Sequence, residues 1–493
     1  MKEQSKFSKV LSILLSVVLV ISSFYLLYQV IRLNVLPSKF LFPLTIGVVV
    51  LDAIFILLLI YFSKNVVSKI ICVVLTLLVC AASCFGGYYI SKTKSALSSI
   101  TNVAKHAKNT VSVIVKESSS IKNKSQLNGV SVGSLRLNEQ GSKKALKELS
   151  GEGIVLNQKE YDSMTALLEA FYNGEVDSII INESSRSQIL DMEAYSNFDS
   201  NTRVVYQTSY KVKNNDSATS VSDITSKPFN VLISGSDTRG GFDENGRSDV
   251  IMIATVNPKT HTILLTSVPR DFYVTTACDA GDGCMQGALD KITHTGIHGT
   301  NTTKRTVEQL LGIEINYTFK VGFDTVTELV DVLGGVDVYV EPGYATTTSE
   351  FSVHEGVNHL NAQQALAFAR ERYSYTEGDR QRTKNQQQVL MGIVKEATKP
   401  SVITNYAAIM DTIANTFSTT MSNEEITDLI KYQLNNNPTW KMEQYMVDGT
   451  GDTLMCAELG DAASVMVPDQ STVKMAKDKI NAVLAGKSSE DVK

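Results

Sequence analysis

Apolar positions crowd into three unbroken runs near the N-terminus, Val10–Ile31, Leu41–Phe62 and Ile70–Ile90, separated by short basic segments. Each approaches the ~20 residues that a helix needs to cross a ~30 Å hydrocarbon layer. Three transmembrane helices are therefore predicted, within a membrane region of residues 1–94. The first run is too long for an ordinary signal peptide, and no small-residue cleavage site lies close behind it. Three spans put the two ends of the chain on opposite sides. Lys2, Lys6, Lys9, Lys64 and Lys69 fall on one side; Arg32, Lys39, Lys92, Lys94, Lys105 and Lys108 fall on the other. A count of basic residues does not decide which side is inside.

Beyond a Lys- and Ser-rich amphipathic stretch, Ser91–Asn109, the pattern turns to alternating strand-like and helix-like runs. Val111–Val115, Gly129–Gly133, Gly153–Leu156, Val176–Ile181 and Arg203–Val212 read as strands; Ser142–Leu149, Tyr161–Tyr172 and Glu183–Tyr195 read as helices. This predicts a small α/β accessory domain over residues 105–214, with no chemistry-bearing motif, serving as a ligand-binding or protein-contact module or as a spacer. A polar, turn-rich linker follows at Asn214–Ser226. In a second domain, residues 227–487, Phe229–Gly235, Val250–Asn257 and Thr262–Val268 are β-branched, apolar and suited to central strands buried on both faces. Helical patterns recur at Thr303–Leu311, Thr325–Leu333, Ala362–Phe368, Arg382–Ala397, Val402–Phe417 and Glu424–Gln433. The fold class is α/β, with a layered α/β/α second domain around a central mixed sheet. The tail "KSSEDVK" is predicted to be disordered.

The chain has 493 residues, 43% of them hydrophobic, which supplies two soluble cores besides the membrane region. A formal net charge of −5 speaks against wholesale nucleic-acid binding, which needs a basic face. Of the six cysteines, Cys72, Cys80 and Cys84 lie in an apolar run and Cys456 stands alone. Cys278 and Cys284 are close enough to staple a short loop, worth roughly 2–3 kcal/mol if oxidised.

Four clusters carry candidate chemistry. In "SGSDTRGGFDENGRSDV", Asp237 follows one buried strand and Asp249 precedes the next. An antiparallel pair would bring both carboxylates to one rim, where their repulsion calls for a cation. Mg²⁺ (or Mn²⁺) suits such a pair, since phosphate oxygens and water complete its shell. The alternative is a turn with ordinary surface acids. In "SVPRDFYV", Arg270 and Asp271 end another buried strand at the same rim. In "ALDKITHTGIHG", Lys291 supplies a point charge suited to phosphate, and His294 and His298 stand i, i+4 without the glutamate of a metalloprotease motif. In "LNAQQALAFARERYSYTEGDRQRTKNQQQVL", Asn361 and Gln364 form a capping box, and Arg370 and Arg372 end the helix. Asp379, Arg382 and Gln386 share one face of the next helix, with Arg380 pointing elsewhere. Guanidinium groups beside a metal seat fit a pyrophosphate; a salt-bridged solvated helix is the plainer reading.

The ordered set "SGSDTR…RSDV", "SVPRD", "DKITHTG" and "FARERY…GDRQR…NQQ" resembles the LytR-CpsA-Psr family. Three spans ahead of an accessory domain resemble its CpsA-like capsular branch. The insertion "CDAGDGC" before Lys291 departs from the pattern. The resemblance implies transfer of a glycan phosphate, here capsular polysaccharide, from an undecaprenyl pyrophosphate carrier to peptidoglycan at the outer membrane face. It implies a metal on Asp237 and Asp249, and a pyrophosphate on Arg270, Lys291, Arg370, Arg372, Arg382 and Gln386. It also implies an apolar tunnel for the prenyl tail, and capsule assembly proteins as partners. Arg270 would stabilise charge, while Asp271 or Asp379 would orient or deprotonate the acceptor hydroxyl. A reading from another class is a non-catalytic polyprenyl-phosphate-binding regulator or scaffold.

Overall fold

The computed structural model describes residues 6–62, 65–101, 106–136, 139–236, 244–279, 284–399, 402–414 and 417–492. It divides into two compact units. One comprises Met1–Thr101, Val394–Ala414 and Ser422–Thr439. Its apolar helices α1 (Lys6–Leu33), α2 (Ser38–Leu57) and α3 (Val66–Thr101) are each long and apolar enough to cross a membrane. Small and polar residues fasten them, as expected where lipid removes the hydrophobic drive between helices. A Cβ on Gly87 would lie 2.5 Å from the Tyr25 ring, so this glycine lets α1 and α3 close up. Ser23 Oγ donates to Asp52 Oδ1 across α1 and α2 at 2.8 Å. The predicted linker Ser91–Asn109 is not separate: α3 runs on to Thr101, burying Ala96, Leu97 and Ile100, and the first strand begins at His106. The helices Val402–Ile413 and Asn423–Asn436 belong to this unit. Thr101 Oγ1 donates to Asn423 Oδ1 at 2.8 Å, and Lys431 Nζ reaches Asn34 Oδ1, before α2, at 2.9 Å. The connection from α1 to α2 and the end of α3 therefore meet the same helix.

The second unit begins with a five-stranded sheet in the order β3-β2-β4-β1-β5. Its strands are β1 (His106–Lys116), β2 (Ser131–Leu135), β3 (Asn157–Tyr161), β4 (Ser178–Asn182) and β5 (Thr202–Lys213). Its helices are α4 (Glu139–Gly151), α5 (Met164–Asn173), α6 (Arg186–Asp191) and α7 (Phe198–Asn201). The strand predicted at Gly153–Leu156 lies instead at β3, because left-handed Gly153 (φ 82°) turns the chain after α4 and pairing starts at Asn157. The helix predicted over Glu183–Tyr195 survives only as α6 between short turns. Arg186, 8% exposed, binds both Glu183 and Asp199 and folds the segment back on itself. The core of this domain is not self-contained. Leu167, Phe171, Ile179 and Phe198 pack with Cys456, Leu459 and Val465 from the C-terminal hairpin of strands Gly449–Cys456 and Asp461–Pro468.

The segment read as a linker is pinned down: Thr219 N–H donates to Asn316 O at 2.8 Å, and Val221 N–H to Tyr317 Oη at 2.9 Å. It leads into a six-stranded mixed sheet. From one edge its strands are Phe417–Thr419, β11 (Tyr317–Gly322), β6 (Phe229–Ser236), β7 (Ser248–Asn257), β8 (Thr262–Ser267) and Lys441–Met446. A two-stranded pair, β9 (Tyr273–Thr275) and β10 (Leu289–Lys291), lies outside it, with Cys278 and Cys284 disulfide-bonded between them. β6, β7 and β8 are antiparallel, while β11 and Lys441–Met446 join in parallel. Both faces are buried, as the continuous apolar pattern requires. Leu232, Ile251, Ile253 and Leu264 face α8 (Thr300–Leu311) and the helix Gln470–Leu484. The alternate residues Val231, Met252, Ala254, Ile263 and Leu265 are buried on the other face. A further cluster joins α9 (Phe323–Leu333), α10 (Ala362–Arg370) and α11 (Asp379–Ala397). Gln387 ties α11 to the sheet through Leu265 O at 3.3 Å and Tyr445 O at 2.8 Å. The predicted helix Val402–Phe417 stops at Ile413, because Phe417–Thr419 is drawn into the sheet as an edge strand on β11.

Two features fix the start of β7. A buried hydroxyl chain runs from Ser234 through Ser248 and Thr303 to Thr295, with steps of 2.8, 3.0 and 2.9 Å. Gly296, in the 3₁₀ segment Ile292–His298, meets the same strand end: a Cβ there would lie 2.5 Å from Gly246 O and Ser248 N. Gly296→Ala must therefore push backbone apart, at an expected cost of about 1–3 kcal/mol. Chemical unfolding of the full chain checks this against Gly451→Ala, where nothing lies within 4 Å.

The C-terminal tail is ordered, contrary to expectation. Glu443, 4% exposed, accepts from Ser488 Oγ and Ser489 N–H at 2.8 Å each and pairs with Lys441 at 2.8 Å. Burial raises its pKa, but Lys441 and both serines outweigh that and bring it to about 2. A depressed carboxylate contributes stability above its unfolded pKa and loses it as pH falls through the folded value. Glu443's contribution, shared between Lys441 and the two tail serines, should fade between about pH 5 and pH 2. The stability gap between wild type and Glu443→Gln should shrink over that range in pH-dependent thermal unfolding.

Candidate functional site

The β6–β7–β8 meander brings the chemistry to one rim. Gly235 pairs with Val250 and Met252 with Ser267, and Val268 N–H extends the ladder to Ile251 O. Asp249, near the start of β7, thus stands beside Arg270, just past β8. A register shift between Gly235 and Ser236 sits next to it; bulges commonly re-aim side chains at a rim. Arg270 Nη1 donates to Asp249 Oδ1 at 2.9 Å, and Thr293 Oγ1 approaches the same oxygen at 3.3 Å. Asp271 lies beside Arg270 at 3.8 Å and receives Lys291 Nζ at 3.2 Å. From α11, Asp379 pairs with Arg382 one turn on.

The side chains of Arg247, Asp249, Arg270 and Arg382 are only 10–14% exposed. Burial alone would raise the pKa of Asp249, but the charges of Arg247, Arg270 and Arg382 overcome it and hold the carboxyl below its ordinary value. Arg270 is shifted upward: burial opposes its charge, and Asp249, Asp271 and Asp379 together prevail. Arg382 is shifted downward by burial and by the like charges of Arg270 and Arg372, which Asp379 and Asp249 do not fully offset. It remains charged at neutral pH, since guanidinium does not deprotonate in that range. Arg247, Arg270 and Arg382 each bury an Nε with no hydrogen-bond partner among the described residues. An unmet buried donor costs about 1–3 kcal/mol, more when charged. Among the described residues these three donors are thus left without an acceptor, Arg270 Nε having Asp271 Oδ2 only at 3.8 Å.

The structure brings Asp249, Arg270, Asp271, Lys291, Asp379 and Arg382 together. Arg372 is near enough for its charge to act on Arg382, and it lies over the Tyr373 ring at 4.7 Å. Arg370 is exposed at the end of α10, and Gln386 is half-buried one turn beyond Arg382. Asp237 lies outside the described residues. Arg380 turns away to Asp448 and Gly449 O. His294 is bonded to Asp290 at 2.7 Å and His298 to Glu458 at 2.9 Å. No group of three His, Cys, Asp or Glu gathers as metal ligands among the described residues. Sequence reasoning missed Arg247, whose Nη2 faces Asp249 Oδ2 at 3.8 Å. The signal was present, since i and i+2 share a face in extended chain. Thr293 was missed because its approach to Asp249 depends on the 3₁₀ turn. A separate cleft of about 670 Å³ lies on the first sheet. Its Arg186 and Arg203 are already committed to Glu183, Asp199, Glu117 and backbone carbonyls, so it offers little unmet chemistry.

Residues 194–482 match the family model described as the LytR_cpsA_psr family. A polyisoprenyl-teichoic acid–peptidoglycan teichoic acid transferase TagU of Bacillus cereus is 31% identical over 241 residues, 48% of this chain and 76% of that protein. The protein of the same name from Bacillus subtilis is 34% identical over 203 residues, 41% of this chain and 63% of its own length. The crystal structure of B. subtilis TagU superposes with a TM-score of 0.41 and 28% identity, covering 52% of this chain and 97% of that one. With more than half its length inside the family model, and a relative above 30% identity matched over three quarters of its own length, the chain belongs to the LytR_cpsA_psr family.

Proposed function

We propose that this protein transfers a glycopolymer from a polyisoprenyl-linked carrier to peptidoglycan, as the names of its TagU relatives state for them. The observation that carries the reading is the buried cluster of Arg247, Arg270 and Arg382 around Asp249, whose unmet Nε donors suit phosphate oxygens. The finer reading is a capsular polysaccharide carried on undecaprenyl pyrophosphate, in the CpsA-like manner, with capsule assembly proteins as further partners. A prenyl tail would need an apolar channel near the rim, where Val231, Met252, Ala254 and Leu265 are apolar and already buried. The soluble part would lie outside the cell, where peptidoglycan is, and the Cys278–Cys284 bond suits an oxidising exterior.

In this mechanism the acceptor hydroxyl oxygen attacks the glycan-bearing phosphorus. The bond from that phosphorus to the bridging oxygen breaks, and prenyl phosphate leaves with the electron pair. Asp271 or Asp379 takes the hydroxyl proton. Arg270, Arg382 and Lys291 hold the diphosphate oxygens and neutralise the charge that moves to the leaving group. Arg370, Arg372 and Gln386 extend that contact along α10 and α11. The donors present are oxygens of the hard kind that Mg²⁺ takes. Asp249, whose Oδ2 faces Arg247 Nη2 at 3.8 Å, would hold the ion together with Asp237. When bound, it would supply further positive charge to the phosphates.

The full chain in nanodiscs, given lipid-linked glycan, peptidoglycan and Mg²⁺, should form wall-linked product. Arg270→Ala and Asp249→Asn should each lower the rate of the folded protein by about 10²–10³-fold, with circular dichroism confirming the fold at the assay temperature. Near-normal rates in both variants would defeat the proposal. Tight carrier-lipid binding by wild type without turnover would indicate a scaffold instead.

A further inference from the structure

The segment Glu244–Asp249 is held by the first-sheet domain at two points. Glu244, 6% exposed, accepts from Thr110 Oγ1 and pairs with Lys108 Nζ at 3.2 Å, both on β1. Arg247 donates through Nη1 to Asp191 Oδ2, at the end of α6. Its Nη2 faces Asp249, and its Nε is one of the unpartnered donors of the pocket. α6 is a firm base for this contact. Ile189 is fully buried in the core of that domain, and Arg186 anchors the start of the helix through Glu183 and Asp199. That core is itself closed by Cys456, Leu459 and Val465 from the far end of the chain, so α6 packs in one core with the C-terminal hairpin.

We propose that Asp191 is a positioning residue of the phosphate pocket, acting through Arg247. This rests on the reading that the pocket holds a diphosphate. Fixing one terminal nitrogen of a long, flexible side chain leaves Nε and the other terminal nitrogen aimed at the pocket before substrate arrives. Without Asp191 that ordering must be done on binding, which weakens it several-fold. An opposing effect exists, because a carboxylate near the pocket repels phosphate. Asp191 is 53% exposed, however, and solvent screens its charge. Orientation therefore prevails. The accessory domain is, on this view, one wall of the site's machinery and not a spacer.

The test compares Asp191→Asn, Asp191→Glu, Arg247→Ala and the Asp191→Asn/Arg247→Ala double variant, all as full chain in nanodiscs. Calorimetry with inorganic pyrophosphate reads binding, and kcat and KM for transfer are read separately. Asp191→Asn should weaken pyrophosphate binding about 3- to 10-fold, and Asp191→Glu should restore most of it. In the Arg247→Ala background, Asp191→Asn should have no further effect, because its route is gone. A merely structural role would lower the unfolding temperature and persist in that background, which overturns the proposal. Unchanged or tighter pyrophosphate binding in Asp191→Asn overturns it as well, and so does a wild-type chain that binds no pyrophosphate. Binding is measured without turnover, so a wild type that binds but forms no product would refute the transferase reading alone.

Discussion

Everything at the rim depends on one constraint: three guanidinium groups are removed from water around one central carboxylate, Asp249. Asp249 sits between Arg247, Arg270 and Arg382, and Asp379 and Asp271 stand on the flanks. Isolated buried charges are expensive, and paired ones recover the cost only with good geometry and filled hydrogen bonds. Here the pairing is incomplete. Arg382 is shifted downward despite two nearby acids, and three Nε donors make no hydrogen bond among the described residues. The diphosphate proposed as ligand would bring oxygens enough to meet these donors.

The scaffold serves to keep that imbalance in place. The β6–β7–β8 meander sets Asp249 against Arg270 by register alone. The hydroxyl chain from Ser234 to Thr295 and the close approach of Gly296 fix the entry to β7. Gln387 locks α11 to the sheet, which places Arg382 over the rim. The shared core of the first domain and the C-terminal hairpin makes the accessory sheet continuous with this support. The proposed phosphoryl transfer asks mainly for positioning and charge stabilisation, which such a frame would supply.

Much of this was legible in the residues. The three apolar helices, the central strands and the capping box of Asn361 and Gln364 follow from periodicity and local hydrogen bonding. Asp249 and Arg270 were readable as neighbours because a hairpin places one strand's start beside the other's end. What was not legible depended on distant contacts. The tail is ordered by Glu443, far away in sequence, and composition gives no hint of it. The helix predicted over Glu183–Tyr195 was broken by a buried arginine whose partner Asp199 lies beyond it. Arg247 was hidden among the polar residues of a glycine-rich loop, and its importance appears only once Asp191 and Asp249 are seen on either side of it.

The most direct test is a structure of the full chain with a prenyl-pyrophosphate-linked glycan bound. The account predicts diphosphate oxygens within hydrogen-bond reach of the Nε atoms of Arg247, Arg270 and Arg382. A diphosphate bound elsewhere, with those three nitrogens still unpartnered, would contradict it.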